Sequence, residues 1–343
     1  MSRLLELTDR GLYCAAGDFY VDPWRPVGWA VITHAHSDHA RAGSRSYLTA
    51  ERGVEILRQR VGDEATIQGV PFGEAVMHNG VRVSLHPAGH ILGSAQVRVE
   101  HQGEVWVVSG DYKTIPDRTC DAFEPVRCHV FITESTFGLP IYRWRANEEL
   151  VDEVNDWWRT NQERGRTSVV LAYALGKAQR VLSGLDSSIG PLLMHGAVER
   201  FVPLYRAAGI ELPECCRATT ENARETRGRA MVVAPPSAAG TPWLRKFGDV
   251  SLAFASGWMQ IRGTRRRRAV DRGFAISDHA DWDGLLSAID ATGAQEIVVT
   301  HGYRSTLVRW LSEHGKRARA LATAFEGEMD EVVGNDGGMG NAE

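Results

Sequence analysis

Thr33-His34-Ala35-His36-Ser37-Asp38-His39 follows directly on the apolar run Val27–Ile32, which reads as a buried strand. Side chains two apart leave a strand end in the same direction, so His34 and His36 can reach one divalent ion. Asp38 and His39 stand past the turn, where they can face a second ion. Imidazole suits zinc, and a mixed nitrogen and oxygen set suits zinc or manganese. The alternative is an ordinary helix start capped by Ser37 or Asp38, which leaves the cluster of imidazoles without a use. The stretch therefore reads as the ligand run of a metal-dependent hydrolase.

A chain of 343 residues can bury a large core and suggests about two domains. Its net charge of −4 creates no global field for a polyanion. Such a partner would need a local basic patch or the metals themselves. The five cysteines are odd in number, with Cys215 and Cys216 adjacent and no Cys-x-x-Cys pair. They form neither a disulfide framework nor a thiolate zinc site, and fit reduced thiols in a cytosol. Met1-Ser2-Arg3-Leu4-Leu5-Glu6 opens no long apolar region, so no signal peptide or membrane span is expected. These features point to the cytoplasm and away from a secreted antibiotic-degrading enzyme.

The first part of the chain is rich in short strand patterns. Val81–Leu85 alternates apolar and polar, and Ala95–Glu100 pairs with Val105–Val108 across His101-Gln102-Gly103-Glu104. Val130–Thr133 is a further apolar run, ending at Glu134. The texture then changes. Leu150, Val151, Val154, Trp157 and Trp158 recur at helical spacing within Glu148–Arg164. Beyond it, the strand-like runs Ser168–Leu171, Leu192–Met194, Met231–Ala234 and Leu252–Ala255 alternate with the helical stretches Lys177–Leu185 and Ala197–Ala208. That alternation predicts a parallel α/β unit. After Gly257 an arginine-rich loop leads to a strand at Phe274–Ile276, a helix at Asp281–Ile289, a strand at Ile297–Thr300 and a helix at Ser305–His314. The tail, 334–343, is rich in Gly, Asn and acid and reads as disordered. The simplest architecture is a metal domain interrupted by an inserted α/β domain.

Other polar residues also close apolar strands. His90 in Pro87-Ala88-Gly89-His90 supplies a third imidazole, behind small residues that allow close approach. Asp111 in Ser109-Gly110-Asp111 can bridge two ions through its two oxygens, and His301 in Thr300-His301-Gly302 offers another imidazole. Asp22 can steady the ligand shell by accepting a histidine N–H.

Asp22, His34-x-His36-x-Asp38-His39, His90 and Asp111 resemble the ordered motifs of the metallo-β-lactamase superfamily, whose fold is an α/β protein, an αββα sandwich. Glu134 in Thr133-Glu134-Ser135-Thr136-Phe137-Gly138, His279 in Ile276-Ser277-Asp278-His279-Ala280-Asp281, and His301 resemble the three extra motifs of its β-CASP branch, which cuts nucleic acids. The branch carries an inserted β-CASP α/β domain where the α/β unit falls here. The chain is similar above all to bacterial ligase-associated DNA exonucleases, within the SNM-type and mRNA 3′-end-processing-factor-like group. That likeness is carried by Gly11-Leu12-Tyr13-Cys14, Val21-Asp22-Pro23-Trp24-Arg25-Pro26, Ala174-Leu175-Gly176-Lys177, His195-Gly196-Ala197 and Ser256-Gly257-Trp258-Met259. The expected domains are 1–145 and 258–333 for the metal domain and 146–257 for the insert.

The resemblance implies two divalent metal ions, zinc and/or manganese, the first on His34, His36, His90 and Asp111, the second on Asp38, His39, Asp111 and His301. Paired ions of this kind sit about 3.5–4 Å apart and bring a bound water to a pKa of roughly 7, giving a metal-bound hydroxide that hydrolyses the phosphodiester. His279 is then the acid for the leaving oxygen and Glu134 its orienting carboxylate. Phosphate contacts are expected from Ser135, Thr136, Lys113 and Lys177, the last opening a helix. Arg265, Arg266, Arg267 and Arg268 could grip a backbone by counterion release, or form a solvated loop. His195 and Cys14 read as structural.

The leading expectation is a DNA exonuclease, working 5′ to 3′ in repair, with DNA preferred over RNA and an ATP-dependent DNA ligase as a partner in the same pathway. One departure favours RNA: crosslink-repair DNA nucleases of this branch usually carry Val at the third β-CASP motif, and His301 is the RNA-processing pattern. An RNA-processing endo- or exonuclease is the alternative. A thiolester or lactone hydrolase shares the metal motifs but has no reason for Glu134, His279 and a large insert. A non-cutting partner subunit would have lost ligands that are all present here.

Overall fold

Glycine-punctuated apolar runs build two sheets from the first part of the chain. The computed structural model describes residues 3–261 and 270–321, so Arg265, Arg266, Arg267 and Arg268 and the expected tail, 334–343, lie outside the described residues. The first sheet follows chain order through β1 (Glu6–Thr8), β2 (Gly11–Cys14), β3 (Phe19–Val21), β4 (Trp29–Val31), β5 (Ser46–Ala50) and β6 (Ile67–Val70). The second takes β7 (Ala75–His78), β8 (Val81–Pro87), β9 (Ala95–His101), β10 (Glu104–Val108) and β11 (Val130–Thr133). The expected hairpin is present, with Glu100 opposite Val105. Gln102 and Gly103, at φ 50° and 82°, make its tight turn.

The chain then enters a third sheet formed by β12 (Thr167–Leu171), β13 (Leu192–Met194), β14 (Cys216–Arg217), β15 (Met231–Ala234), β16 (Val250–Ala255) and β17 (Arg272–Phe274). It returns to the second sheet with β18 (Glu296–Val299) beside β11 and β19 (Arg317–Ala320) at the edge. The described helices are α1 (Val54–Val61), α2 (Asn147–Glu163), α3 (Lys177–Gly184), α4 (Gly196–Glu199), α5 (Val202–Ala207), α6 (Thr220–Glu225), α7 (Trp282–Thr292) and α8 (Arg304–Glu313).

Period-two alternation places one face of each of the first two sheets in a shared core. Val21, Val31 and Leu48 of one sheet pack with Val83, Val97, Ile132 and Val298 of the other. Outside the first sheet, Ala30, Ile32 and Tyr47 meet Ile56 and Leu57 of α1. Outside the second, Val107, Phe131, Ile297 and Val299 meet Trp282 and Ile289 of α7 and Leu307 and Leu311 of α8. The layers therefore form an αββα sandwich, with an α/β unit inserted between β11 and β18.

The inserted sheet is wholly parallel, in the order β14-β13-β15-β12-β16-β17. Both of its faces are covered, which is why its strands read as continuous apolar runs rather than alternations. Val170, Met231 and Val233 pack with Leu150, Val154 and Trp158 of α2 and Val181 and Leu182 of α3. Val169, Leu171 and Val232 face Leu244, Phe247 and Trp258 on the other side.

Two expectations differ from the structure. The helix read over Ala197–Ala208 is broken into α4 and α5, because Pro203 lies in the first turn of α5 and its ring cannot continue a helix from α4. The strand read at Phe274–Ile276, and assigned to the returning segment after Gly257, lies at Arg272–Phe274 and pairs in parallel with β16. Phe274 is buried in the inserted unit and meets Trp157 edge-on, so packing draws that strand into the third sheet. Among the described residues, no helix is long and apolar enough to cross a membrane.

Gly89, at φ 74°, carries the chain from β8 toward His90, and a Cβ there would collide with the carbonyl oxygen of Lys113. Gly89→Ala should destabilise the protein by more than about 1 kcal/mol, read as a lower urea midpoint at constant m. An unchanged midpoint would contradict this packing.

Candidate metal centre

Each candidate ligand leaves the end of a strand. β4 feeds the run from Thr33 to His39, β8 feeds His90, β10 feeds Asp111 and β18 feeds His301. Asp22, just after β3, organises the first of these loops. Its backbone is in the left-handed region at φ 44°, a conformation that aspartate tolerates better than most residues. From there Oδ1 accepts the Thr33 N–H at 2.8 Å. Oδ2 accepts the Thr33 hydroxyl at 2.6 Å and His39 Nδ1–H at 2.8 Å. The aspartate thus sets the turn and the His39 ring together.

Hydrogen bonds to groups that can only accept fix the imidazole protons. His90 Nδ1–H donates to Asp278 O at 2.8 Å, and His36 Nε2–H to Leu175 O at 3.2 Å. His90 Nε2 and His36 Nδ1 then present lone pairs to each other across 3.1 Å, an arrangement that repels unless a cation lies between them. Since the Thr33 hydroxyl donates to Asp22, it can only accept from His34 Nδ1, 3.1 Å away. His34 Nε2 is left buried with no hydrogen-bond partner, 3.6 Å from Asp111 Oδ2. The same carboxylate oxygen lies 3.5 Å from His39 Nε2 and 3.9 Å from His90 Nε2. His34, His36, His90 and Asp111 form one group able to hold an ion, and His39, Asp111 and His301 form another. The two share Asp111.

This donor set fits a divalent cation. Burial, reinforced by the neighbouring imidazoles, holds His34 and His90 well below the ordinary histidine range, in the neutral form that binds metals. Burial and then His39 also lower His301. Burial opposes charge on His39 as well, yet the carboxylates of Asp111 and Asp38 outweigh it and hold that imidazole well above its usual range. Burial would raise Asp111, but His39 and His279 hold it well below the ordinary carboxylate range. A cavity of about 60 Å³ beside the second group is lined by Asp22, Asp38, His39 and His301.

Glu134 and His279 form a buried pair next to this centre. His279 Nδ1 lies 2.9 Å from both Glu134 oxygens, and Tyr112 N–H donates to Glu134 Oε1 at 2.8 Å. Burial raises the Glu134 carboxyl, with Asp111 adding to the effect and His279 opposing it. Asp111, Glu134 and His279 themselves converge closely enough to share an ion. The His279 ring centroid is 4.7 Å from that of His90.

Comparison with known proteins gives this geometry its context. No family model matches the chain. A protein named "Probable DNA ligase" from Opitutus terrae is 29% identical over 317 residues, covering 91% of this chain. "Cleavage and polyadenylation specificity factor subunit 3" of Dictyostelium discoideum is 32% identical over 148 residues, and "Endoribonuclease YSH1" of Saccharomyces cerevisiae 30% over 147, each covering 42% of this chain. The chain is related to the β-CASP proteins of the metallo-β-lactamase superfamily. It spans 30% of the ligase and 18% and 19% of the other two. A crystal structure of a protein of unknown function from Enterococcus faecalis shares the fold, with a TM-score of 0.60 at 12% identity, covering 86% of this chain and 79% of that one.

Within this β-CASP framework, the structure brings together His34, His36, His39, His90, Asp111 and His301, with Asp22 behind them and Glu134 and His279 alongside. Asp38 sits at the edge, its Oδ2 3.7 Å from His39 Nε2, and belongs to neither close group. The expected phosphate contacts fare differently. Lys177 is fully buried with Nζ 3.0 Å from Asp278 Oδ1, so its charge is taken up inside the protein. Lys113 is buried too, donates to Asn147 Oδ1 at 3.1 Å, and is pushed down to about 7 by burial and then by Arg180. Ser135 is buried and its hydroxyl is turned onto the Thr300 and His301 carbonyls, where it holds the His301 loop. Thr136 is buried as well. Sequence reading missed Thr33, the Leu175 carbonyl, Asp278 and Arg180. Leu175 and Asp278 lie inside quoted motifs, but nothing in those motifs marks a carbonyl as a ring acceptor.

Asp22→Ala should weaken divalent-ion binding by about 10–100-fold, because His39 loses the acceptor that fixes its ring. Titration calorimetry of stripped protein with Mn²⁺ reads this directly, and parent-like affinity would contradict the role given to Asp22. Chelation of the parent should lower its melting temperature, and Mn²⁺ or Zn²⁺ should restore it.

Proposed function

We propose that this chain is a metal-dependent nuclease that removes nucleotides from DNA ends, 5′ to 3′, in cytoplasmic repair alongside an ATP-dependent DNA ligase. The observation that carries the reading is the Glu134–His279 pair set against Asp111, a proton donor beside a hydrolytic centre. A hydrolase of esters with good leaving groups has little need of such a donor. A phosphodiester expels an alkoxide, which does need one. The choice of DNA is supported by likeness along 91% of this chain to a protein named as a probable DNA ligase. We read the third-sheet unit, entered near Ala146, as the inserted domain, with β17 extending it past Gly257.

We assign His34, His36, His90 and Asp111 to one cation and His39, Asp111, His301 and the neighbouring Asp38 to a second, zinc or manganese in each case. Bound there, divalent ions would supply Lewis-acid charge to the phosphate and acidify a water molecule. The chain's own residues do the rest. Asp111 draws both ligand groups onto one carboxylate. His279, held at Nδ1 by Glu134, would protonate the leaving 3′-oxygen, and Glu134 would stabilise the imidazolium before transfer. A buried centre raises the effect of each of these charges.

RNA cleavage is the second reading. It is favoured by His301 in the second ligand group and by partial relatives whose names call them endoribonucleases. Assays with 5′- and 3′-labelled DNA and RNA of one sequence, in zinc or manganese, separate the two. Mononucleotide release from 5′-ends of DNA is expected. Internal cuts confined to RNA would overturn the leading reading. His279→Ala should slow cleavage by about 10²–10⁴-fold with metal content near the parent's. Retained activity at neutral pH would require a different acid.

A further inference from the structure

The sandwich supplies the ligands, but a side chain from the inserted unit holds the backbone beneath them. Arg180, in the second turn of α3, is buried with its guanidinium aimed at three loops of the sandwich. Nη1 donates to Ser277 O at 2.8 Å and Nη2 to His90 O at 3.0 Å. Nε faces Asp117 Oδ2 at 2.8 Å. These three acceptors belong to the loop before His279, the loop of His90 and the loop that follows Asp111. One helical step earlier on the same face, Lys177 Nζ lies 3.0 Å from the Asp278 carboxylate. Asp278 in turn offers its carbonyl to His90 Nδ1–H at 2.8 Å.

We propose that Arg180 is a positioning residue for the metal centre: its three-way contact, backed by Lys177, fixes His90 by backbone and ring together and sets the entry to His279. The role presupposes the metal centre proposed above. Arginine suits it because a planar fork can serve a carboxylate and two carbonyls at fixed angles, whereas one ammonium cannot span them. The burial is its physical cost. A guanidinium out of water is favourable only with hydrogen bonds and a counter-charge, and here the two carbonyls take Nη1 and Nη2 while Asp117 supplies the opposite charge beside Nε. Docking of the inserted unit would then set the affinity of the sandwich for its ions.

The test uses the whole chain, stripped of metal, and titrated with Mn²⁺ by calorimetry. Arg180→Lys keeps the charge opposite Asp117 but loses the fork, and should bind Mn²⁺ about 10–100-fold more weakly while still melting cooperatively. Asp117→Asn keeps both carbonyl contacts but removes the counter-charge, and should lose less Mn²⁺ affinity than Arg180→Lys; a larger loss would overturn the role given to the fork. If Arg180→Lys does not fold, Arg180→Gln with Asp117→Asn removes the ion pair together and should show the same loss. The visible spectrum of bound Co²⁺ should also shift in the folded Arg180 variant, a change that loss of stability alone does not produce. A folded Arg180 variant with parent-like Mn²⁺ affinity and Co²⁺ spectrum would overturn the positioning role and leave the centre standing. A parent that takes up no Mn²⁺ would overturn both.

Discussion

The structure depends on a buried carboxylate ringed by imidazoles: Asp111, 6% exposed, with one oxygen 3.5 to 3.9 Å from the ring nitrogens of His34, His39 and His90. Removing a carboxylate from water costs several kcal/mol unless charge or hydrogen bonds replace the lost solvation. Here the facing atoms of His34 and His90 are lone pairs, because Thr33 and the Asp278 carbonyl take the protons on the far side of each ring. Lone pairs against a carboxylate repel. The arrangement makes physical sense around positive charge, and four strand ends are directed toward one point to create it.

Two units share the work. The sandwich contributes the candidate ligating atoms from the ends of β4, β8, β10 and β18, where strands are fixed by a common core and loops need only be short. The inserted α/β unit contributes acceptors and cations behind them: the Leu175 carbonyl behind His36, Lys177 behind Asp278, and Arg180 behind Ser277 and His90. Trp144, at the entrance to the insert, donates its indole N–H to the His279 carbonyl at 2.9 Å. Orientation of the rings is therefore a property of both units together.

The metal run was legible because its chemistry is local: clustered His and Asp at a strand end have few other uses, and the strands that carry them read directly as apolar runs. His279 and Glu134 were legible only through resemblance, since a lone histidine and a lone glutamate carry no spacing signal. The lysines show where sequence reading ends. Lys177 opens a helix after a Leu-Gly turn, the local signature of an anion site, yet burial and Asp278 decide that its charge points inward. Lys113 and Ser135 were absorbed in the same way, by an asparagine side chain and two backbone carbonyls. Partners separated by tens to hundreds of residues leave no mark on either local pattern. The edge strand Arg272–Phe274 was displaced for a related reason, because its register is set by pairing with β16 and by Trp157 rather than by its own short sequence.

The most direct test of the account is anomalous diffraction from crystals soaked in Mn²⁺. Two peaks are expected about 3.5–4 Å apart, both within coordination distance of Asp111, one among His34, His36 and His90 and one beside His39 and His301. No peak at Asp111, or ions bound only elsewhere on the chain, would contradict it.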